Sequence, residues 1–262
     1  MPFNMVGFSE ATPGTGTPYI AAALNETLYR VNGDDLLLNK EAPYLLGVLY
    51  SALTTPSRAL LRQPKRIDID ISKAMRDTDL DPVIGWTHLF HRPILLNAID
   101  KLNALSANAT DEITQIGLLL GSGKITRAAI EAARVDHIIR GTVDQALTAH
   151  TWTFGAVTWV EALEAGKYAI VGMRGTQYKA ATPSPTLARL AIPGALNWKP
   201  GVPLSNAVGD KTIPMSRHEP WAEWGLMQEI AFDTQIGYPN VELLSCAAET
   251  DMAIELHLQK VG

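Results

Sequence analysis

The chain has a single cysteine, Cys246, in 262 residues, so no intramolecular disulfide can staple it. Cys246 falls in an apolar, strand-like stretch, where a buried thiol is expected. Long apolar runs are also missing. The longest, such as Ile116–Leu120, fall far short of the roughly 20 residues that cross a bilayer as a helix. The N-terminus lacks the charged-then-apolar pattern of a secretion signal, and the plain expectation is a soluble intracellular product. There is no basic arm. Lys and Arg number 22 against 27 Asp and Glu, a net charge of −5. The two signs are mixed along the chain, which argues against direct binding to a nucleic-acid backbone. An apolar share of 47% with 19% charged residues excludes disorder as the default state. No long amphipathic helix alternates with the strand-like segments, which excludes a parallel α/β sheet.

What is present is strand after strand. In Asp251–Leu258, Met252, Ile254, Leu256 and Leu258 point one way while Ala253, Glu255 and His257 point the other. Successive side chains leave a sheet on opposite sides, so this alternation is that of a strand with one buried face. Ile67, Ile69 and Ile71 alternate with Arg66, Asp68, Asp70 and Ser72 in the same way. Further strands are expected over Tyr44–Leu53, Ile99–Ala107, Ile113–Leu120, Ile138–Leu147, Thr151–Val160, Gly166–Tyr178, Gly225–Phe232 and Val241–Ala247. Within Thr151–Val160 the apolar parity switches at Gly155, which suggests a bulge. Ala21–Val31 suits a strand or a short helix. Arg76–Pro93 reads as a long loop, and Thr126–Arg134 as a short surface helix of good helix formers. Roughly a dozen strands at such spacings fit sandwiches.

No set of residues assembles into chemistry. Gly121-Ser122-Gly123-Lys124 invites a phosphate-loop reading. However, the first glycine of that motif would fall at Leu118, and Ile125 stands where Ser or Thr would hold magnesium; a turn between strands is preferred. Asp77, Asp79 and Asp81 open like a calcium loop, but Pro82 and His88 occupy the positions that need glycine and glutamate. That leaves a solvated acidic loop, with calcium binding at the three aspartates open. His88 and His91 are three apart, a poor metal pair on a strand, and Pro93 disfavours a helix. Cys246 has no electropositive neighbours that would activate it. The carboxylate pairs Glu161/Glu164 and Glu219/Glu223 cannot be tested for a glycosidase separation from spacing alone. Trp221 and Trp224 could stack on a sugar, but such aromatics more often serve an interface or a core. No catalytic residue, cofactor or metal ligand is assigned.

Three runs carry a resemblance: Ala165–Arg174 (AGKYAIVGMR), Leu187–Gly194 (LARLAIPG) and Trp198–Gly201 (WKPG). With the closing strands Val241–Ala247 and Met252–Leu258, after the strand at Gly225, they resemble major capsid proteins of tailless icosahedral bacteriophages. The similarity covers about residues 100–262, and the first hundred residues share only its strand-and-turn pattern. It implies an all-β fold of antiparallel jelly-roll sandwiches, in the double-jelly-roll lineage, with at most short helices. A single roll with elaborate loops stays open, because the strand count falls short of sixteen. The expected division is a flexible arm over 1–19, a first roll over 20–134 and a second over 135–262. The implied function is a non-enzymatic virion protein that assembles as homotrimeric capsomers into an icosahedral shell in the host cytoplasm. Implied partners are neighbouring capsomers, penton or minor capsid proteins and an internal membrane, with no direct nucleic-acid contact. Trp86, Phe90, Trp198 and Trp221 are the candidate intersubunit contacts. The rival readings are a β-sandwich carbohydrate-binding protein or cupin-like enzyme, and a phage spike or adhesion module.

Overall fold

The computed structural model describes residues 3–10, 20–21, 26, 29–38, 40–52, 58–63, 67–70, 86–96, 101–107, 114–123, 134–180, 186–195, 197–208, 221, 230–245, 248 and 251–262. Every regular element longer than one residue among them is a strand. The first set comprises β1 (Phe3–Glu10), β2 (Ile20–Ala21), β3 (Arg30–Asn32), β4 (Asp35–Leu37), β5 (Tyr44–Ala52), β6 (Arg58–Gln63), β7 (Ile67–Asp70), β8 (Trp86–Leu95), β9 (Lys101–Ala107) and β10 (Thr114–Gly121). The second comprises β11 (His137–Val143), β12 (Thr153–Gly155), β13 (Thr158–Trp159), β14 (Lys167–Ala180), β15 (Thr186–Ala191), β16 (Gly201–Val208), β17 (Ala231–Asp233), β18 (Asn240–Ser245) and β19 (Met252–Lys260).

The pairings define the topology. Rolling up one long antiparallel ribbon pairs its first strand with its last, its second with its seventh, its third with its sixth and its fourth with its fifth. The first set does this: β1 pairs β10, β2 and β4 pair β9, β5 pairs β8 and β6 pairs β7. Its sheets are β1-β10-β5-β8 and β3-β4-β9-β6-β7. The second set repeats the scheme, with β11 on β19, β12 on β18, β14 on β17 and β15 on β16. Its two sheets are β13-β11-β19-β14-β17 and β12-β18-β15-β16, joined where β14 and β16 pair in parallel near Thr176 and Ser205. Each set is a jelly roll, and the chain is a double jelly roll.

The rolls stack face to face through β1. Its even-numbered Val6 and Phe8 enter the first roll's core with Leu36, Val48, Leu61 and Leu118. Its odd-numbered Phe3 and Met5 enter the second roll's core with Leu187, Leu190, Leu243 and Leu256. Strand β10 divides likewise, Leu118 and Leu120 inward and Leu119 towards the second roll. A sheet covered on both faces needs apolar residues at both parities, as β1, β10 and β15 have. The outermost sheet keeps one face open to water, so β19 alternates buried and half-buried residues along its length.

Several expectations need correction. Phe3–Glu10 is a strand buried between the two rolls, not an arm, because Phe3, Met5, Val6 and Phe8 are all fully buried; residues 11–19 lie outside the described residues. The strand Trp86–Leu95 takes up the second half of the expected loop Arg76–Pro93 and runs on past it. Pro93 is tolerated there because β8 is at the edge of its sheet, where a missing N–H breaks no ladder. Gly155 is not a bulge. It ends β12 on one sheet, and Thr158 begins β13 on the other, so the parity switch marks a corner. A Cβ at Gly155 would lie 2.6 Å from Val143 Cγ1. Gly121 ends β10 and Ser122-Gly123 forms a bend. The expected helix Thr126–Arg134 lies, but for its last residue, outside the described residues, as do Asp77, Asp79, Asp81 and Cys246.

Candidate functional site

The most concentrated chemistry lies in the seam between the rolls. Arg189 sits mid-strand in β15, on the parity that faces the first roll, and its side chain is fully buried. A guanidinium in that position is stable only if paired. Its Nη1 is 2.8 Å from Glu26 Oε1, and its Nε is 2.7 Å from Glu242 Oε2. Nη1 also donates to the Met5 carbonyl at 3.2 Å, and the group lies 3.9 Å over the Trp152 ring. Lys199 Nζ pairs with the other Glu242 oxygen. Burial pushes the Glu242 carboxyl up, but Arg189 and Lys199 outweigh it and hold it below the ordinary carboxylate range.

The same seam is sewn by neutral bonds. Asn4 Oδ1 accepts from the Lys199 backbone N–H at 2.6 Å, and Asn4 Nδ2 donates to Tyr29 Oη at 3.1 Å and to the Asn197 carbonyl at 3.2 Å. Burial of the Tyr29 hydroxyl is the main reason its pKa is pushed up to about 12. Met5 N–H donates to the Lys199 carbonyl at 3.0 Å, a backbone bond between rolls. Gln115 Nε2 donates to the Leu244 carbonyl at 2.9 Å.

Ser9 Oγ lies 2.7 Å from His150 Nδ1, the spacing of a nucleophile and its base. Ser9 is only 3% exposed and lies near the end of β1, between the rolls, so the pair works as a fastener. His150 holds its place with a left-handed backbone (φ 59°) while its N–H donates to the Ser245 carbonyl. Burial pushes its imidazole pKa down, which keeps the ring neutral in the seam.

A second cluster faces outward from the second roll. Arg174 on β14 grips Glu255 on β19 with two bonds of 2.8 Å. His257 Nε2 lies 2.7 Å from the same carboxylate. Burial pushes Glu255 up, but the bonds from Arg174 and His257 outweigh it and its carboxyl stays below the usual range. Among the described residues no group of three or more His, Cys, Asp or Glu is arranged to hold a metal ion.

The tryptophans expected at intersubunit contacts divide. Trp221 is fully buried, with its ring edge-on to Phe3 at 5.3 Å, so it is spent inside the subunit and leaves the contact set. Trp198 is half-buried against the first roll's core. Trp86 and Phe90 are on edge strand β8, as are His88 and His91; their side chains lie outside the described residues. The seam residues Glu26, Glu242, Asn4 and Gln115 gave no signal, since their partners are distant in sequence. Arg189 gave one: a single cation in the otherwise apolar run Leu187–Ile192.

No protein-family model matches the chain, and no curated protein matches it. It is similar to a solved structure of the STIV MCP, a viral major capsid protein, over 97% of this chain and 96% of that one. The identity is 9% and the TM-score 0.27. The strand pairings by themselves define the two jelly rolls.

Proposed function

We propose that this chain is a structural virion protein that assembles through trimeric capsomers into the icosahedral shell of a tailless bacteriophage. The observation that carries the reading is the stacked pair of complete jelly rolls with their polar groups turned to internal fastening. Arg189, beside Glu242 in the second roll, reaches Glu26 across the seam, and Ser9 reaches His150, where a groove-sited enzyme would point such groups at a substrate. Two rolls locked in one orientation make a rigid block, and three such blocks present six rolls around an axis, which suits hexagonal tiling. The sequence resemblance of Ala165–Arg174, Leu187–Gly194 and Trp198–Gly201 supports the same reading.

On this reading Trp86, Phe90 and Trp198 remain proposed contacts with neighbouring subunits, and the net charge of −5 suits a shell that does not itself condense the genome. Penton or minor capsid proteins and an internal membrane are proposed partners, and the site of assembly is the host cytoplasm. The test is electron microscopy and native mass measurement of the purified chain. Trimers or closed shells are expected. A chain that stays monomeric at all concentrations and binds a small ligand in a cleft would sink the proposal.

A further inference from the structure

We propose that one end of the second roll is a contact face for a second copy of this chain, an inference that rests on the shell reading and locates one of its interfaces. Seven large apolar side chains stand out as exposed among the described residues. Five of them, Val135 (47%), Ile138 (47%), Val160 (75%), Ile236 (70%) and Val261 (54%), lie on four segments that meet at that end. The segments are joined by hydrogen bonds. Asp136 N–H donates to Leu258 O at 2.8 Å, Val261 N–H to Lys167 O at 2.9 Å, Val160 N–H to Arg140 O at 2.8 Å and Thr234 N–H to Gly166 O at 3.1 Å. Aliphatic groups this exposed, on segments bonded to one another, are what an interaction surface presents.

The charges at this end select the occupant. Its segments carry four cations (Arg134, Arg140, Lys167, Lys260) and four carboxylates (Asp136, Glu161, Glu164, Asp233). Arg134 pairs with Asp136 at 2.9 Å, Arg140 with Glu161 at 3.0 Å and Lys260 with Glu164 at 2.8 Å, while Lys167 and Asp233 are cross-strand neighbours. The end is therefore neutral on a chain of net charge −5. Two copies can bring such ends together without adding like charge, whereas acidic faces would repel. A face for anionic lipid would instead carry cations in excess.

The experiment compares the whole chain with the double variant Val160→Asp/Ile236→Asp by sedimentation velocity over a concentration series. Both positions are so exposed that the melting temperature should hold. Buried in an interface, two unpaired aspartates should raise the concentration for half-association by about tenfold or more. If the wild-type chain associates and the folded double variant does so at the same concentrations, the face is wrong while the shell reading stands. If the wild-type chain never associates, both fail. Vesicles of phosphatidylglycerol and phosphatidylcholine complete the test. Wild-type binding that the double variant loses, with self-association intact, would reassign the face to a membrane and overturn the proposal.

Discussion

Replacing Arg189 by methionine tests the seam most directly. The guanidinium is fully buried between Glu26 and Glu242, with the Glu26 side chain 0% and that of Glu242 17% exposed. Removing the cation breaks the buried pair with Glu26 and leaves Glu242 with Lys199 alone, a loss of about 3–5 kcal/mol for a broken buried pair. The stacking on Trp152 adds about 0.5–2 kcal/mol. Chemical denaturation at neutral pH should register most of this as a lower midpoint. The quadruple variant Arg189→Met/Lys199→Met/Glu26→Gln/Glu242→Gln should regain much of it, since neutralising a whole buried network is often nearly neutral in cost. Acid sharpens the test. Glu242 is held below its unfolded value, so its contribution is present above the ordinary carboxylate pKa and is lost as pH falls through the folded one. Without Arg189, only Lys199 still opposes the effect of burial on that carboxyl, and the acid-sensitive part of the stability should shrink. A cost below about 1 kcal/mol for Arg189→Met, the level of an exposed ion pair, would refute the burial on which the reasoning rests.

Deleting residues 1–10 should abolish folding, because Phe3, Met5, Val6 and Phe8 at about 1.5–3 kcal/mol each rival the whole stability of a typical domain; a cooperative melt of the truncated chain would refute this. Gly201→Ala should cost more than Gly7→Ala. At Gly201 the new Cβ would meet the Ala188 carbonyl at 2.3 Å, backbone that cannot turn aside, whereas at Gly7 it meets Leu244 Cδ2 at 2.4 Å, a side-chain repacking of about 1–3 kcal/mol. Denaturant midpoints in the reverse order would contradict this. Glu255→Gln should flatten the acid limb of the stability curve below about pH 4.5. The depressed carboxyl contributes above its ordinary pKa and loses that contribution as pH falls through the folded value, and an unchanged limb would show that Arg174 and His257 do not stabilise it.

How much was legible in the chain depended on how many faces of each strand meet water. Strand β19, with one wet face, prints its alternation in Met252–Leu258, and β11 follows the same rule with buried residues at 139, 141 and 143. The all-β class followed from such stretches and from the lack of helical periodicity, because side-chain period is a local property of the backbone. Strand β1 was hidden for the opposite reason. With Phe3 and Met5 in one core and Val6 and Phe8 in the other, both parities are apolar, and no alternation separates Phe3–Glu10 from the glycine- and proline-rich stretch that follows. Strand β8 was hidden by Pro93, which only an edge position excuses.

The pairing of the rolls lay wholly beyond local reading. Arg189 finds Glu26 across 163 residues and Met5 across 184, and Ser9 meets His150 across 141. Sequence spacing carries no trace of such distances, because they are set by how two finished sandwiches stack. Periodicity says that a residue is inside; which partners surround it depends on sheets that the rest of the chain must first complete. The amino-acid order thus specifies strands, their faces and the scarcity of reactive groups, while the joining of two jelly rolls through one charged seam arises from packing between elements far apart in the chain.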